Sequence, residues 1–265
     1  PLESEIEANP KLRPPFLQEM SKAQRKAWHQ AYDPRNKRYL KLEKQGKLKG
    51  DERNLYVYQR FIKDYVRCID GLDAQIGRIL RFLDEENLAE NTLLVYSSDQ
   101  GFLTGEHGWA EKRWMYEESF KSPLLVRWPG VIEPGSVIED LVQNIDLAPT
   151  FLQAAGLDAP DSLHGLALQP LFSESGPEEW REEVFYQYFD GGTLQKPGPY
   201  NMPRHEGIRN RRYKLISFYE YDTWEFYDLY KDPNELSNLI GDPSMRAKIE
   251  GMKKSLEVVK DRFSP

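Results

Sequence analysis

Between residues 62 and 83, apolar side chains recur at intervals of three and four: Ile62, Val66, Ile69, Leu72, Ile76, Ile79, Leu80 and Leu83. That spacing lines one face of an α-helix over about six turns. Such a face has to be buried against another layer. Cys68 falls inside the pattern and reads as a small core residue rather than a nucleophile. Asn87–Asn91 then make a polar turn, and Thr92–Ser97 is a short apolar run, long enough for a buried parallel strand. It stops at Ser98-Asp99-Gln100-Gly101. Pro123–Trp128 is a second strand, closed by Pro129-Gly130. Asp146 is an N-cap candidate for a helix with Pro149 in its first turn, and Gly156 is its stop. Residues 56–156 therefore read helix, strand, loop, strand, helix, an α/β arrangement.

Composition excludes several classes. Acidic residues outnumber basic ones by 43 to 36, a net charge of −7, which argues against nucleic acid as the partner. No window approaches the ~18–20 apolar residues of a membrane helix, so no span is expected. One cysteine excludes an internal disulfide and a multi-cysteine zinc site. The first residues lack the basic start and apolar core of a signal peptide, and there is no initiating Met, so the chain reads as cut or as part of a longer protein. Residues 1–55 form a polar lead-in punctuated by Pro10, Pro14 and Pro15. It is expected to be extended, with a short polar helix near Gln18–Tyr32 and His29 in solvent.

The texture changes near residue 173. Ser173–Glu179 reads as a loop, Glu183–Phe189 as a strand and Gly191–Pro203 as a Gly- and Pro-rich loop. Tyr213–Phe218 and Trp224–Leu229 flank a polar turn, an antiparallel hairpin. Ser244 is a candidate cap for a last helix with Ile249, Met252, Leu256 and Val259 on one face. Residues 176–265 form a small α+β subdomain behind the α/β region of 56–175.

The stretch Ser98–Gly108, followed by Glu111-Lys112-Arg113, carries the chemistry. An acidic residue at the carboxyl end of a strand stands where open α/β sheets bind ligands. Asp99 and the Gln100 amide oxygen are hard donors, suited to Ca²⁺ or Mg²⁺. Gly101, Gly105 and Gly108 leave room for a ligand. Lys112 supplies a point positive charge for a phosphate or sulfate oxygen. The bland alternative is a surface loop with solvated charges.

Several pieces in order resemble the type I sulfatase family of the alkaline-phosphatase-like superfamily. They are Ile69–Leu80, Asn91–Gly101, Gly105-Glu106-His107-Gly108, Lys112–Ser119, Pro123–Val126, Trp128-Pro129-Gly130 and Asp146–Thr150. Gly207-Ile208-Arg209, Tyr213–Ile216 and Tyr227-Asp228-Leu229 with Asp232-Pro233, Glu235 and Asn238-Leu239 resemble that family's carboxyl-terminal subdomain. The resemblance implies part of an alkaline-phosphatase-like sheet sandwiched by helices, plus a small C-terminal α+β subdomain with an antiparallel sheet. It implies that Asp99 and Gln100 bind Ca²⁺ and that Lys112, thirteen residues after Asp99, contacts sulfate. The wording Lys112–Ser119 is similar to sulfatases acting on 6-O-sulfated N-acetylglucosamine of glycosaminoglycans or mucins, and in that branch His205 lines the sugar pocket.

The departures from the family matter equally. Its formylglycine nucleophile arises in a Cys/Ser-x-Pro-x-Arg pattern that this chain lacks, and the other Ca²⁺ ligands lie in an N-terminal half that is missing. The chain alone is therefore expected to be inactive, and that half is its expected partner beside the sulfated carbohydrate. Two ligands fall far short of the ~6–8 oxygens calcium takes. The resemblance also implies an extracellular, periplasmic or lysosomal location. A phosphodiesterase or phosphonate hydrolase of the same superfamily, and a non-catalytic carbohydrate-binding module, are the rival readings.

Other residues keep two readings. His107 can donate to the sulfate or leaving oxygen, or orient the Gly-rich loop. Arg113 can pair with Glu117 or Glu118 on a helix, or reach substrate. His164 reads as a loop-closing residue. The aromatic cluster Phe218, Tyr219, Tyr221, Trp224, Phe226, Tyr227 and Tyr230 packs a hairpin or stacks on sugars.

Overall fold

A computed structural model of the chain describes residues 19–173, 176–177, 179–190 and 202–263, with the backbone alone for 262 and 263. In chain order the elements are helices α1 (Lys22–Lys44) and α2 (Gly50–Glu85), strands β1 (Leu94–Ser97), β2 (Leu103–Thr104) and β3 (Ala110–Glu111), the one-turn helix α3 (Glu117–Phe120), β4 (Leu124–Arg127) and α4 (Leu147–Ala154). Strands β5 (Glu183–Tyr188), β6 (His205–Asn210), β7 (Tyr213–Phe218) and β8 (Thr223–Asp228) follow, and α5 (Arg246–Phe263) closes the series. Most of the loop expected at Gly191–Pro203 and the first residues of the lead-in lie outside the described residues. Two units are distinct: residues up to Asn87 with 103–111, and residues 88–102 with everything from Lys112.

In the first unit the described part of the lead-in, from residue 19 on, is largely helical. α1 starts at a capping box in which Ser21 and Gln24 exchange side-chain-to-backbone hydrogen bonds. It runs through Pro34 to Lys44, well past Tyr32. Contacts with α2 offset the hydrogen bond the proline removes: Arg35 to Asp64 at 2.7 Å, Arg60 to Asn36 at 2.6 Å, and buried Tyr39 against the Tyr56 ring. His29 is accordingly half-covered and lies 3.2 Å from Asp33.

α2 has 36 residues, a length of about 54 Å at 1.5 Å per residue. Its apolar stripe forms as the spacing predicts, yet only Leu83 is buried, and Val66, Ile69, Leu72, Ile79 and Phe82 are exposed. Cys68 is exposed as well, against the expectation of a core thiol. It sits in the middle of the helix, where residues 66–75 are all open.

In the second unit β1 pairs with β4, from Leu94↔Arg127 to Ser97↔Leu124, and the pairing is antiparallel. The sequence reading expects parallel strands here. A parallel pair needs a crossover that returns the chain to the same end. The only α-helix between these two strands is the single turn α3, so the chain comes back in the opposite sense. Both strands are mostly half-buried, and Leu125 is 67% exposed.

The C-terminal sheet has the order β5-β6-β7-β8, all antiparallel. Alternate residues of β7 serve opposite faces. Leu215 joins Ile208, Phe226 and the α5 residues Ile249, Met252 and Leu256. Ile216 and Phe218 join Tyr227, Leu229 and Met115, under Trp114, Tyr116, Phe120 and Tyr186. Two covered faces explain why the strands read as continuous apolar runs. Past β8, Asn238 accepts from the Phe226 N–H at 3.0 Å and donates to the Trp224 carbonyl, while the Leu239 N–H bonds the Phe226 carbonyl at 2.8 Å. The turn before α5 is capped by Asp242, whose carboxylate accepts the Ser244 N–H at 2.8 Å; Ser244 is the capped residue, not the cap.

Candidate functional site

β1 delivers Asp99 and Gln100 at its carboxyl end. The loop that carries them is held by its backbone. The Asn144 amide donates to the carbonyls of Ser98 (3.2 Å) and Asp99 (2.9 Å). The Ser98 hydroxyl donates to the Gln100 carbonyl at 2.8 Å. On the far side the Gly101 N–H donates to the Ser119 carbonyl at 2.9 Å. A Cβ at Gly101 would stand 2.1 Å from the Glu118 carbonyl oxygen, so this residue has to be glycine for the loop to seat on α3. The Asp99 side chain is exposed and Gln100 is half-covered.

The turn that carries Asn144 is braced by Asp146, two residues on. That carboxylate is wholly buried and accepts from the Gln143 N–H (2.7 Å), the Leu166 N–H (2.8 Å) and both terminal nitrogens of Arg181. Asp146 does precede α4, but its side chain makes no capping bond there.

Lys112 and Arg113 precede α3 instead of lying on a helix. The residues that follow them are clamped to the C-terminal sheet. The Arg113 carbonyl accepts the Tyr186 hydroxyl at 2.6 Å. Glu117, expected as a partner for Arg113, lies 2.8 Å from Lys214 and takes Arg209 at 3.1 and 3.2 Å. Burial raises the Glu117 carboxyl, but the Lys214 and Arg209 charges outweigh it and hold the group below the usual range.

Expected at the edge of a sugar pocket, His205 is 0% exposed. Its ring is enclosed by Trp114 (5.7 Å, stacked), Tyr186 (5.6 Å), Tyr188 (5.5 Å) and Phe218 (5.4 Å). Nδ1 faces the Pro203 carbonyl at 3.0 Å. Burial lowers its pKa, more than the carbonyls of Pro203 and Arg113 raise it, so the ring is neutral near pH 7. The structure thus brings His205 to the Arg113-Trp114 segment but gives it no open surface.

His107 belongs to the first unit, on a tight turn between β2 and β3. It has φ +55° and follows Gly105 at φ +142°. Glu106 closes this turn by accepting from the Thr104 N–H at 2.6 Å and from its hydroxyl. His164 is exposed. Of the aromatic cluster, Phe218, Phe226 and Tyr227 are core, while Tyr219, Tyr221 and Tyr230 are exposed.

The donors fit a hard divalent cation in kind but not in number. Asp99 and Gln100 offer two ligand side chains, and no group of three or more His, Cys, Asp or Glu among the described residues is placed to hold a metal. No helix among them is long and apolar enough to cross a membrane. Asn144, Arg181 and Lys214 make contacts that brace these segments and are not singled out by the sequence reading, while Glu235 enters it only as part of the family resemblance. For Lys214 the available signal is a lone charge within the apolar strand Tyr213–Phe218.

The fold is that of the alkaline-phosphatase-like superfamily. Superposition on a solved complex of a protein with its substrate D-glucosamine-2-N,6-O-disulfate gives a TM-score of 0.83 at 36% identity, over 93% of this chain and 49% of the other. The phosphonate monoester hydrolase of Agrobacterium radiobacter superposes with a TM-score of 0.64 at 30% identity, over 73% and 40% of the two chains. Within the superfamily the chain belongs to the sulfatase family. The sulfatase family model matches residues 18–157, and the model of the N-sulphoglucosamine sulphohydrolase C-terminal region matches 105–262. N-acetylglucosamine-6-O-sulfatase of Bacteroides thetaiotaomicron is 38% identical over 239 residues, 89% of this chain and 41% of that protein. The chain therefore spans about two-fifths of the length of this relative.

Proposed function

We propose that this chain is the carboxyl-terminal half of a sulfuric ester hydrolase acting on sulfated carbohydrate, namely 6-O-sulfated N-acetylglucosamine of a glycosaminoglycan or mucin. Residues 56–175 complete the catalytic α/β domain and 176–265 form its C-terminal subdomain. One observation carries the reading: the 38% identity to N-acetylglucosamine-6-O-sulfatase, which extends over 89% of the chain.

Asp99 and Gln100 hold Ca²⁺ together with ligands from an N-terminal half. When bound, the cation neutralises charge on the sulfuryl oxygens. Lys112 sets a positive charge against one sulfate oxygen and so favours the transition state over the ester. His107 donates a proton to a sulfate or leaving oxygen. Arg113 binds substrate beside Trp114, and His205 backs that surface from beneath. The nucleophile belongs to the N-terminal half, and the 265 residues alone do not turn over. The exposed stripe of α2 supports such a partner, since a row of open aliphatic side chains on one helix marks a surface awaiting cover. The enzyme works outside the cytosol, in an exported or lysosomal setting.

A phosphonate hydrolase is the second reading, favoured by the 30% identity to the Agrobacterium enzyme. Both are tested by assaying the chain together with its N-terminal half on N-acetylglucosamine-6-sulfate and on a phosphonate monoester. Sulfate release that falls at least ~100-fold in Lys112→Ala supports the sulfatase. Turnover of the phosphonate alone overturns it.

A further inference from the structure

Lys214 is wholly buried on β7. Its ammonium donates to the Met115 carbonyl at 2.6 Å and lies 2.8 Å from one oxygen each of Glu117 and Glu235. The Glu235 contact is ionic, without good hydrogen-bond angles. The other Glu235 oxygen accepts the Glu117 N–H at 2.7 Å. Residues 115–117 are thus gripped at one carbonyl, one N–H and one carboxylate. Arg209 balances the second negative charge from β6.

This grip lies between the two parts of the candidate site. Lys112 is three residues upstream of Met115 in the chain. Downstream, α3 presents the Ser119 carbonyl to the Gly101 N–H and the Glu118 carbonyl against the Gly101 α-carbon. Gly101 directly follows Asp99-Gln100. The same buried cation is therefore connected by two short backbone paths to the anion-facing lysine and to the metal-facing loop.

Stability alone does not account for a lysine here. Taking an ammonium out of water is costly, and an apolar side chain of similar volume often leaves a protein equally or more stable. A methionine would fill this space. It would not supply directed donors, and so would leave the rotation of residues 115–117 about the sheet unspecified.

We propose that Lys214 is a positioning residue: through Met115, Glu117 and Glu235 it fixes α3, and α3 sets Lys112 and the Asp99–Gly101 loop in register for sulfate and metal. The catalytic part of this statement rests on the roles given to Asp99, Gln100 and Lys112 above.

The test compares the wild-type enzyme with Lys214→Met and Glu235→Gln, each in the full enzyme. Hydrogen exchange is read on peptides covering 98–102 and 112–119, with α1 and α2 as internal standards. Ca²⁺ affinity is read by calorimetry, and kcat and KM on a sulfated monosaccharide. In Lys214→Met the expected result is at least tenfold faster exchange in those two segments with the standards unchanged. Ca²⁺ binding weakens about tenfold, and kcat falls more than KM rises. If Lys214→Met does not fold, Glu235→Gln, which keeps an acceptor for the Glu117 N–H, must show the same pattern at smaller amplitude. Unchanged exchange in both segments of a folded variant overturns the proposal, whatever the enzyme does. Faster exchange in an enzyme that never releases sulfate upholds the positioning and overturns only the functional reading.

Discussion

Arg181 closes on Asp146 with both terminal guanidinium nitrogens, at 2.5 and 2.6 Å, across 35 residues of chain. The aspartate is fully buried and the arginine nearly so. Two backbone N–H groups, of Gln143 and Leu166, occupy the remaining capacity of the carboxylate. Asp146→Ala leaves a covered guanidinium without its counter-charge and two N–H groups without an acceptor. Breaking a buried pair in this way costs about 3–5 kcal/mol. Denaturant unfolding of the variant checks the figure, and a loss under ~1 kcal/mol, the worth of an exposed pair, means the clamp is not structural.

Asn144 is the one side chain among these contacts that bonds the carbonyls of both Ser98 and Asp99. Asn144→Ala removes both donors and leaves the side chains of Asp99 and Gln100, the proposed Ca²⁺ ligands, untouched. Groups that orient metal ligands typically contribute 10–100-fold to affinity. The Ca²⁺ dissociation constant of the enzyme should rise by about that factor, with unfolding little changed. Equal affinity in variant and wild type would remove Asn144 from the site.

Gly101→Ala places a methyl group 2.1 Å from the Glu118 carbonyl oxygen and 2.8 Å from that of Lys121. Both obstacles are backbone, so the loop or α3 has to move. Overpacking costs about 1–3 kcal/mol where side chains can yield, and the cost here should reach or exceed the top of that range. A thermal melt measures it, and a crystal structure of the variant would show the Gly101–Ser119 hydrogen bond broken. An unshifted melt would mean that α3 yields freely.

His205 gives a pH dependence with a definite sign. Burial depresses its pKa below that of a histidine in the unfolded chain, about 6.5. As the pH falls below ~6.5 the unfolded chain takes up a proton that the folded ring refuses, so this group makes the fold less stable on the acid side. The contribution fades as pH rises and is gone above the unfolded pKa. His205→Phe should therefore flatten the stability profile between the depressed pKa and ~6.5. Urea midpoints at several pH values decide it: parallel profiles for variant and wild type would show that the ring titrates normally.

Local patterns were readable wherever neighbours in sequence decide the structure. The α2 stripe, the hairpin of β7 and β8, the α5 face and the run of Asp99, Gln100, Gly101 and Lys112 are set by period or by adjacent residue chemistry. Pairing sense was not, because it depends on the route the chain takes between β1 and β4. The extent of α1 past Pro34 depends on Asp64 and Arg60 of another helix. The pocket role of His205 came from the resemblance alone, and no local pattern records the four aromatic rings around it, drawn from three separate segments. Lys214 is a charge where an apolar residue is due, and its meaning emerges only with Glu117 and Glu235 beside it.

The segment beyond β8 has a consequence for the protein's behaviour in concentrated solution. An open strand edge is a template on which other chains can add. Here Asn238 and Leu239 occupy the outer hydrogen-bonding groups of Phe226, and Asn238 also takes the Trp224 carbonyl. The β7–β8 hairpin is thereby blunted by its own polypeptide, and that margin of the sheet is closed to strand-by-strand self-association.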